Sequence, residues 1–444
     1  MDTNYYSTIS WVNEYARNLA PFVYVRREDN LLIKIPNQAH KLNAQGVSIL
    51  KRLLTGENVY AIIERYADKE QAARDIHYFF SDLRAVMKDC VRESDNRRAV
   101  EKVQFSLPFN TLPVLSELAV TYRCNLACKF CYAACGCRKK EMPELSTAAL
   151  KKILTLIKNE AEVPSVSFTG GEPLLRDDII ELIGFAKSLK MWTNLITNAT
   201  LLTPQRAQGL QRAGLDSAQV SLEAGTFDLH DTIVAKEGAF ALTLAGLKNL
   251  QENGIRVHTN TTISRLNIGH LAEILDLVKS LGLNKFSMNM LMPEGAALEN
   301  FPQVMVSYSE IGERVLAVFN YAKKLGLEFM WYSPTPMCIF NPIVHGLGNK
   351  GCAACDGLLS IAPNGDILPC SSFPKPMGNI LKIGRGFKKT WRSPKFAYFQ
   401  KKRFVHTHCQ QCADLAVCNG GCPLYWNKMG YAEILNNTQA EVRA

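Results

Sequence analysis

From about residue 114 to 325, short apolar runs alternate with longer stretches of helical periodicity. The runs LSELAVTY, SVSFTG, WTNLIT, AQVSLEA, RVHTNTTI and KFSMNML read as strands, each separated from the next by a helical stretch. In STAALKKILTLIKNE, Leu150, Ile153, Leu154 and Ile157 share one face behind a cap at Ser146/Thr147. Repeated strand–helix units predict a parallel sheet, since parallel neighbours need a crossover. Six such units are too few for an eight-fold barrel, so an α/β fold with a partial (β/α)6 barrel is expected over residues 113–325.

The flanks are patterned differently. In residues 20–90, FVYVRRED, LLIKIP and AHKLN are strand-like and separated by turn-prone residues. Asn43 is placed to cap the helix AQGVSILKRLL, and Ile76, Phe79, Phe80, Leu83 and Val86 form one stripe in a later helix. This predicts a small winged-helix-like α+β domain, followed by a linker over 91–112. Over residues 335–435 the periodicity fades and cysteines become dense, as in a loop-rich domain held by metal rather than apolar burial.

Composition narrows the class. With 444 residues, 47% apolar and 21% charged, the chain fits a multi-domain globular enzyme, and no apolar run reaches the ~18 residues that span a bilayer. The first residues lack a basic segment followed by an apolar one, so no secretory signal and a cytoplasmic location are expected. In that compartment the clustered thiols among the 14 cysteines are expected as metal ligands rather than disulfides. The net charge of +10 is dispersed along the chain, which favours an acidic peptide or protein partner over nucleic acid. No membrane partner is expected.

Cys124-Asn-Leu-Ala-Cys128-Lys-Phe-Cys131 directly follows the first strand of the β/α region, where parallel sheets carry their active-site loops. Three thiolates can hold three irons of a cubane and leave the fourth iron open to an amino and carboxylate chelate. Taken alone, the triplet also suits zinc. The C-x3-C-x2-C spacing, with Phe130 before the last cysteine, resembles the radical S-adenosylmethionine (SAM) superfamily. The resemblance implies a [4Fe–4S] cluster with an open iron site on Cys124, Cys128 and Cys131, with SAM as the second cofactor. It also implies reductive cleavage of SAM to methionine and a 5'-deoxyadenosyl radical.

Further segments carry the same resemblance. Gly170-Gly171-Glu172-Pro173 follows the second strand, and in the family the matching segment contacts the methionine amino group. Glycines let backbone carbonyls approach an ammonium, while Glu172 complements charge or fixes the loop. Thr197-Asn198-Ala199-Thr200 resembles the family's TNGT, with Ala199 where glycine is usual. Ser221, in Val220-Ser221-Leu222-Glu223, matches a serine that bonds ribose or carboxylate, and Leu291 is placed to face adenine. Many members of the family carry an arginine a few residues after the matching His-Asp pair to meet the methionine carboxylate, whereas after His230-Asp231 this chain reads Thr232-Ile233-Val234-Ala235. The methionine carboxylate partner is therefore unassigned.

Cys355-x9-Gly365-x4-Cys370 and Cys409-x2-Cys412-x5-Cys418-x3-Cys422 resemble the SPASM extension, which implies one or two auxiliary iron–sulfur clusters. By that analogy Cys352, Cys355, Cys370 and Cys422 hold the nearer cluster and Cys409, Cys412 and Cys418 the outer one. The full pattern ends on a further cysteine, absent after Cys422. That leaves Cys338, Asp414, water or substrate as the outer cluster's fourth ligand. A zinc ribbon on Cys409, Cys412, Cys418 and Cys422 is the alternative. Cys135 and Cys137 are unassigned, and Cys90 reads as a buried apolar residue.

Residues 20–90 are similar in element order to the PqqD-like precursor-peptide recognition domains of peptide-modifying radical enzymes. In such domains a leader peptide adds as a strand to a sheet edge. The three parts together resemble maturases of ribosomally made peptides, forming a thioether, a carbon–carbon cross-link or a related oxidation, with a flavodoxin- or ferredoxin-type reductant. Sulfatase maturation or a haem-pathway oxidation is the second reading. A non-catalytic iron–sulfur or zinc electron-transfer protein is the third.

Overall fold

The computed structural model describes residues 4–88, 99, 106–135 and 143–441. The short runs at the N-terminal end fold as β1 (Val23–Arg26), β2 (Leu31–Lys34) and β3 (Gln38–Lys41), an antiparallel sheet in the order β1-β2-β3. Helices at Ala44–Leu54 and Lys69–Met87 follow, the first capped by the Asn43 side chain on the Gly46 N–H at 2.6 Å. A helix at Trp11–Leu19, ahead of the expected elements, packs Val12, Ala16 and Leu19 into the same core as Leu50, Ile76 and Phe80. Buried Arg26 closes this unit. Its guanidinium holds Asp29 at 2.8 Å and donates to the carbonyls of Leu112 and Pro113 at 2.9 and 2.6 Å.

The chain divides into two units: residues up to Val114, without Ser106–Pro108, form one, and Leu115 onward forms the other with that tripeptide. In the second unit the six expected strands are β4 (Leu115–Thr121), β5 (Ser165–Gly170), β6 (Trp192–Thr197), β7 (Ser217–Ser221), β8 (Arg256–Ile263) and β9 (Lys285–Met290). All neighbours among them are parallel, in sequence order. This is the partial α/β barrel that the alternation predicts.

The sheet continues past both ends of that set. β10 (Glu328–Trp331) adds parallel to β9, and β11 (Leu358–Ile361) adds parallel to β4. β12 (Asp366–Leu368) and β13 (Gly378–Asn379) complete ten strands. The cysteine-rich region is thereby built onto the barrel edge next to β4.

One face of the sheet is apolar, with Val166, Phe168, Leu195, Ala218 and Val220 buried. The other is polar: Ser167, Asn194 and Ser217 lie in register across β5, β6 and β7, and Asn260 faces Ser287 across β8 and β9. Asn194 donates to Ser167 at 3.3 Å and accepts from Ser217 at 2.8 Å, so the lumen is lined by hydrogen-bonded side chains. No helix among the described residues is long and apolar enough to cross a membrane.

Candidate active site and metal centres

Cys124, Cys128 and Cys131 lie on the loop leaving β4, and all three are half-buried. The loop is gripped from two sides. Ala127 and Lys129 donate their N–H groups to the carbonyls of Val234 and Ile233 at 3.1 and 3.0 Å, and Ala296 donates to the Cys131 carbonyl at 2.9 Å. Leu126, Val234 and Ala239 form a small core against Cys124 and Cys128. The Ile233 and Val234 carbonyls of the Thr232–Ala235 segment thus hold the cysteine loop. Its neighbour Lys236 reaches the Asn125 carbonyl at 3.3 Å, a cation beside the loop that spacing alone did not single out.

The glycines of the second segment are required by contact. A Cβ on Gly170 would fall 2.0 Å from the Thr121 carbonyl oxygen, and one on Gly171 2.2 Å from that of Arg123. Their backbone lies along the entry to Cys124, with the Gly171 and Glu172 N–H groups donating to Thr121 and Arg123 at 2.8 and 2.9 Å. Glu172 is fully buried and accepts from the Leu174 N–H, the Asn198 N–H and the Thr197 hydroxyl at 3.0, 2.8 and 2.8 Å. Burial pushes its carboxyl up to about 7 against those donors. Glu172 therefore ties the β5 loop to the end of β6.

Asn198 donates to Asn125 at 3.0 Å, and Asn125 donates to Thr200 at 2.8 Å, so the β6 loop is bonded to the cysteine loop. Ala199 stands at φ 61, the left-handed conformation that explains why glycine is usual there. Ser221 closes β7 half-buried, Leu291 is buried just after β9, and Phe130 is half-buried in the cysteine loop. Glu223, missed by motif reading, is buried and accepts from the Thr262 N–H at 2.8 Å, and burial pushes its carboxyl up to about 8. The Glu223 N–H donates to His230 Nδ1 at 3.2 Å, and burial lowers that imidazole to about 4, leaving the proton on Nε2.

The C-terminal spacing has a local cause. Cys355-x9-Gly365-x4-Cys370 spans the β11–β12 hairpin, with Gly365 at φ 85 in its turn. Asn419, Gly420 and Gly421 all take positive φ, reversing the chain between Cys418 and Cys422. The two cysteines therefore face different sets. Cys422 interacts with Cys352 and Cys370, whereas Cys418 interacts with Cys412 and Cys409. Among the described residues no three His, Cys, Asp or Glu converge on one ion. Cys135 is hydrogen-bonded to Cys131, while Cys90 and Cys137 lie outside the described residues.

A cavity of ≈ 260 Å³ lies between the cysteine loop and the segment after Cys370, lined by Tyr122, Tyr132, Glu294, Ser371 and Phe373 among others. Behind it Glu117 on β4 hydrogen-bonds Ser371, its second carboxyl oxygen is buried without a partner among the described residues, and burial raises its pKa. These groups were not legible as a site, because they come together only when β11 and β12 join β4.

The donor sets fit iron–sulfur clusters: three thiols on one loop for a cubane with an open iron, and two further thiol groups in the C-terminal region. The comparisons agree. The radical SAM superfamily matches residues 118–278 and the SPASM iron–sulfur cluster-binding domain residues 352–413. An AdoMet-dependent heme synthase of Oleidesulfovibrio alaskensis is 30% identical over 320 residues, 68% of this chain and 80% of the relative. A PqqA peptide cyclase of Gluconobacter oxydans is 28% identical over 327 residues, 71% of this chain and 87% of the relative. The crystal structure of Streptococcus suis SuiB bound to the precursor peptide SuiA superposes with a TM-score of 0.66 at 17% identity, covering 92% of this chain and 95% of that one. With these matches the cofactors are a [4Fe–4S] cluster, SAM and auxiliary iron–sulfur clusters. The chain belongs to the radical SAM superfamily and carries a SPASM domain behind its catalytic barrel.

Proposed function

We propose that this enzyme modifies a ribosomally made peptide, installing a thioether, a carbon–carbon cross-link or a related oxidation. The observation that carries the reading is the separate N-terminal α+β unit. Its sheet ends on β3, a four-residue edge strand whose residues are exposed or half-exposed, to which a leader peptide can add as a further strand. The likeness to a peptide cyclase and to a peptide-bound enzyme supports it.

Cys124, Cys128 and Cys131 would hold the catalytic cluster, and Cys352, Cys355, Cys370 and Cys422 the nearer auxiliary one. When bound, the catalytic cluster would supply the electron that splits SAM into methionine and a 5'-deoxyadenosyl radical, the auxiliary cluster would accept the electron left by bond formation, and a flavodoxin- or ferredoxin-type protein would be the reductant. Gly170 and Gly171 keep the backbone low enough for the methionine ammonium to approach, and Asn198, Ser221, Leu291 and Phe130 frame the rest of SAM. Lys236 stands where a cation can meet the methionine carboxylate. The substrate segment enters the cavity beside Tyr132, where Glu117 can accept a proton through Ser371.

The test is anaerobic incubation of the reconstituted enzyme, SAM and dithionite with the product of a short reading frame neighbouring its gene. The reading expects a hydrogen pair to be lost from the peptide together with 5'-deoxyadenosine formation. An unchanged peptide, with turnover of a haem precursor instead, would overturn it. That haem-type oxidation is the second reading, supported by the 30% identity to a heme synthase.

A further inference from the structure

Cys409, Cys412 and Cys418 give the outer set three thiols, and residues 423–444 contribute no fourth. Cys422 is set apart from Cys418 by the positive-φ reversal at Asn419, Gly420 and Gly421, and its charge acts on Cys370. A different segment stands in the gap. After β10 the chain runs through Ser333–Phe340 and is fixed against the cysteine-rich region at several points.

The Tyr308 hydroxyl donates to the Pro334 carbonyl at 2.8 Å while accepting from the Cys422 N–H at 3.1 Å, so one phenol ties this segment to the second cysteine group. Pro336 packs on the reversal between Cys418 and Cys422: a Cβ on Gly421 would lie 2.9 Å from the Pro336 ring. The Ile339 and Phe340 N–H groups both donate to the Pro336 carbonyl at 3.0 Å, closing a turn around Met337 and Cys338. The Met337 N–H then donates to Cys418 Sγ at 3.2 Å. Such an N–H to sulfur contact is typical of the ligand sulfurs of clusters, whose potential it tunes.

The turn thus brings Cys338, an exposed thiol and the residue after Met337, beside Cys418 of the outer set. We propose that Cys338 is the fourth cysteine ligand of the outer auxiliary cluster, completing the set formed by Cys409, Cys412 and Cys418. On binding, the Cys338 thiol gives its proton to solvent and its sulfur donates an electron pair to the fourth iron, with no change in oxidation state. The ligand would come from upstream in the chain, after β10. Asp414 is the competing oxygen ligand. Its backbone carbonyl accepts the Cys418 and Val417 N–H groups at 2.8 and 3.0 Å, which holds the residue beside Cys418.

The inference rests on Cys409, Cys412 and Cys418 holding a cluster, and the test separates the two ideas. The full-length chain with Cys124, Cys128 and Cys131 replaced by alanine would be reconstituted anaerobically, so that its iron reports only auxiliary clusters. Cys338→Ala, Cys338→Ser and Asp414→Asn would then be added singly. Readouts are iron per chain, the electron paramagnetic resonance (EPR) spectrum of the reduced protein, and hyperfine coupling to added 13C-cyanide.

Cys338→Ala is expected either to lose roughly half of the auxiliary iron, one cubane of two, or to gain a cyanide coupling absent from the parent. Cys338→Ser is expected to keep the iron with a shifted spectrum, because a serine oxygen can ligate, and Asp414→Asn to match the parent. The assignment is overturned if Cys338→Ala matches the parent in iron, spectrum and cyanide response, if Asp414→Asn alone perturbs them, or if the parent already binds cyanide. A parent without auxiliary iron would overturn the cluster reading as well.

Discussion

The Lys402 ammonium lies 2.9 Å from the Asp356 carboxylate and 2.6 Å from the Cys352 carbonyl, with its side chain fully buried. A cation is thereby fixed between two of the nearer set's cysteines, Cys352 and Cys355, on both of whose thiols its charge acts. Removing one partner of a buried ion pair leaves the other charge unpaired, at a cost of about 3–5 kcal/mol. Lys402→Met is therefore expected to destabilise the reconstituted protein by about 3 kcal/mol or more. Adding Asp356→Leu is expected to recover most of that loss, as chemical denaturation of the single and double variants will check.

At Gly171 the expected effect is steric. An added methyl 2.2 Å from the Arg123 oxygen must push the β5 loop off the entry to Cys124. Gly171→Ala should lower 5'-deoxyadenosine formation at least tenfold, about 1.4 kcal/mol in the barrier. Gly269, whose Cβ position has nothing within 4 Å, is the control, and its alanine variant should stay within about 0.5 kcal/mol of the parent in stability. Lys236→Ala should raise the SAM concentration at half-saturation about tenfold, with a smaller effect on the maximal rate.

The pH dependence of stability has a definite sign. Burial raises Glu223 to about 8 and Glu172 to about 7, so the folded protein holds protons that the unfolded chain releases above its ordinary carboxyl range near 4.5. Their contribution is complete below that range and is lost as pH rises through 7 to 8. His230 and His258, both lowered to about 4 by burial, act oppositely: stability is lost as pH falls from 6.5 toward 4. Between about pH 6.5 and 8 the two histidines no longer contribute, and Glu223→Gln should flatten the decline in denaturation midpoint measured across that window.

Glu117 is expected to act on the substrate step alone. It hydrogen-bonds Ser371 at the wall of the cavity that Tyr132 also lines. Glu117→Gln is expected to leave 5'-deoxyadenosine formation within about twofold while lowering peptide modification by tenfold or more, as expected for loss of a general base. Equal loss of both products, followed by chromatography and mass spectrometry, would remove Glu117 from the substrate step.

Much of this was legible in the sequence where the cause is local. The six barrel strands announce themselves because each is a short buried run between periodic helices, and the Cys124–Cys131 loop and the Gly170–Pro173 turn are short-range patterns. The Cys355–Cys370 spacing was legible as a pattern, and the β11–β12 hairpin behind it came from the structure. What was not legible depends on distant pairing. The addition of β11 to β4 brings Ser371 beside Glu117, and the turn at Pro336 carries Cys338 to Cys418 across a long separation. The polar lumen was present as alternation in WTNLIT and KFSMNM, but only register across strands shows those side chains meeting. The helix Trp11–Leu19 is amphipathic and too short to stand out without the core it covers.

The most direct measurement is chromatographic detection of 5'-deoxyadenosine after anaerobic reduction of the iron-loaded protein with SAM, beside a variant with Cys124, Cys128 and Cys131 changed to alanine. The account predicts the nucleoside from the parent, an EPR change when SAM is added, and neither from the variant. Nucleoside formation by the triple variant, or none from a parent that holds a full complement of iron, would contradict it.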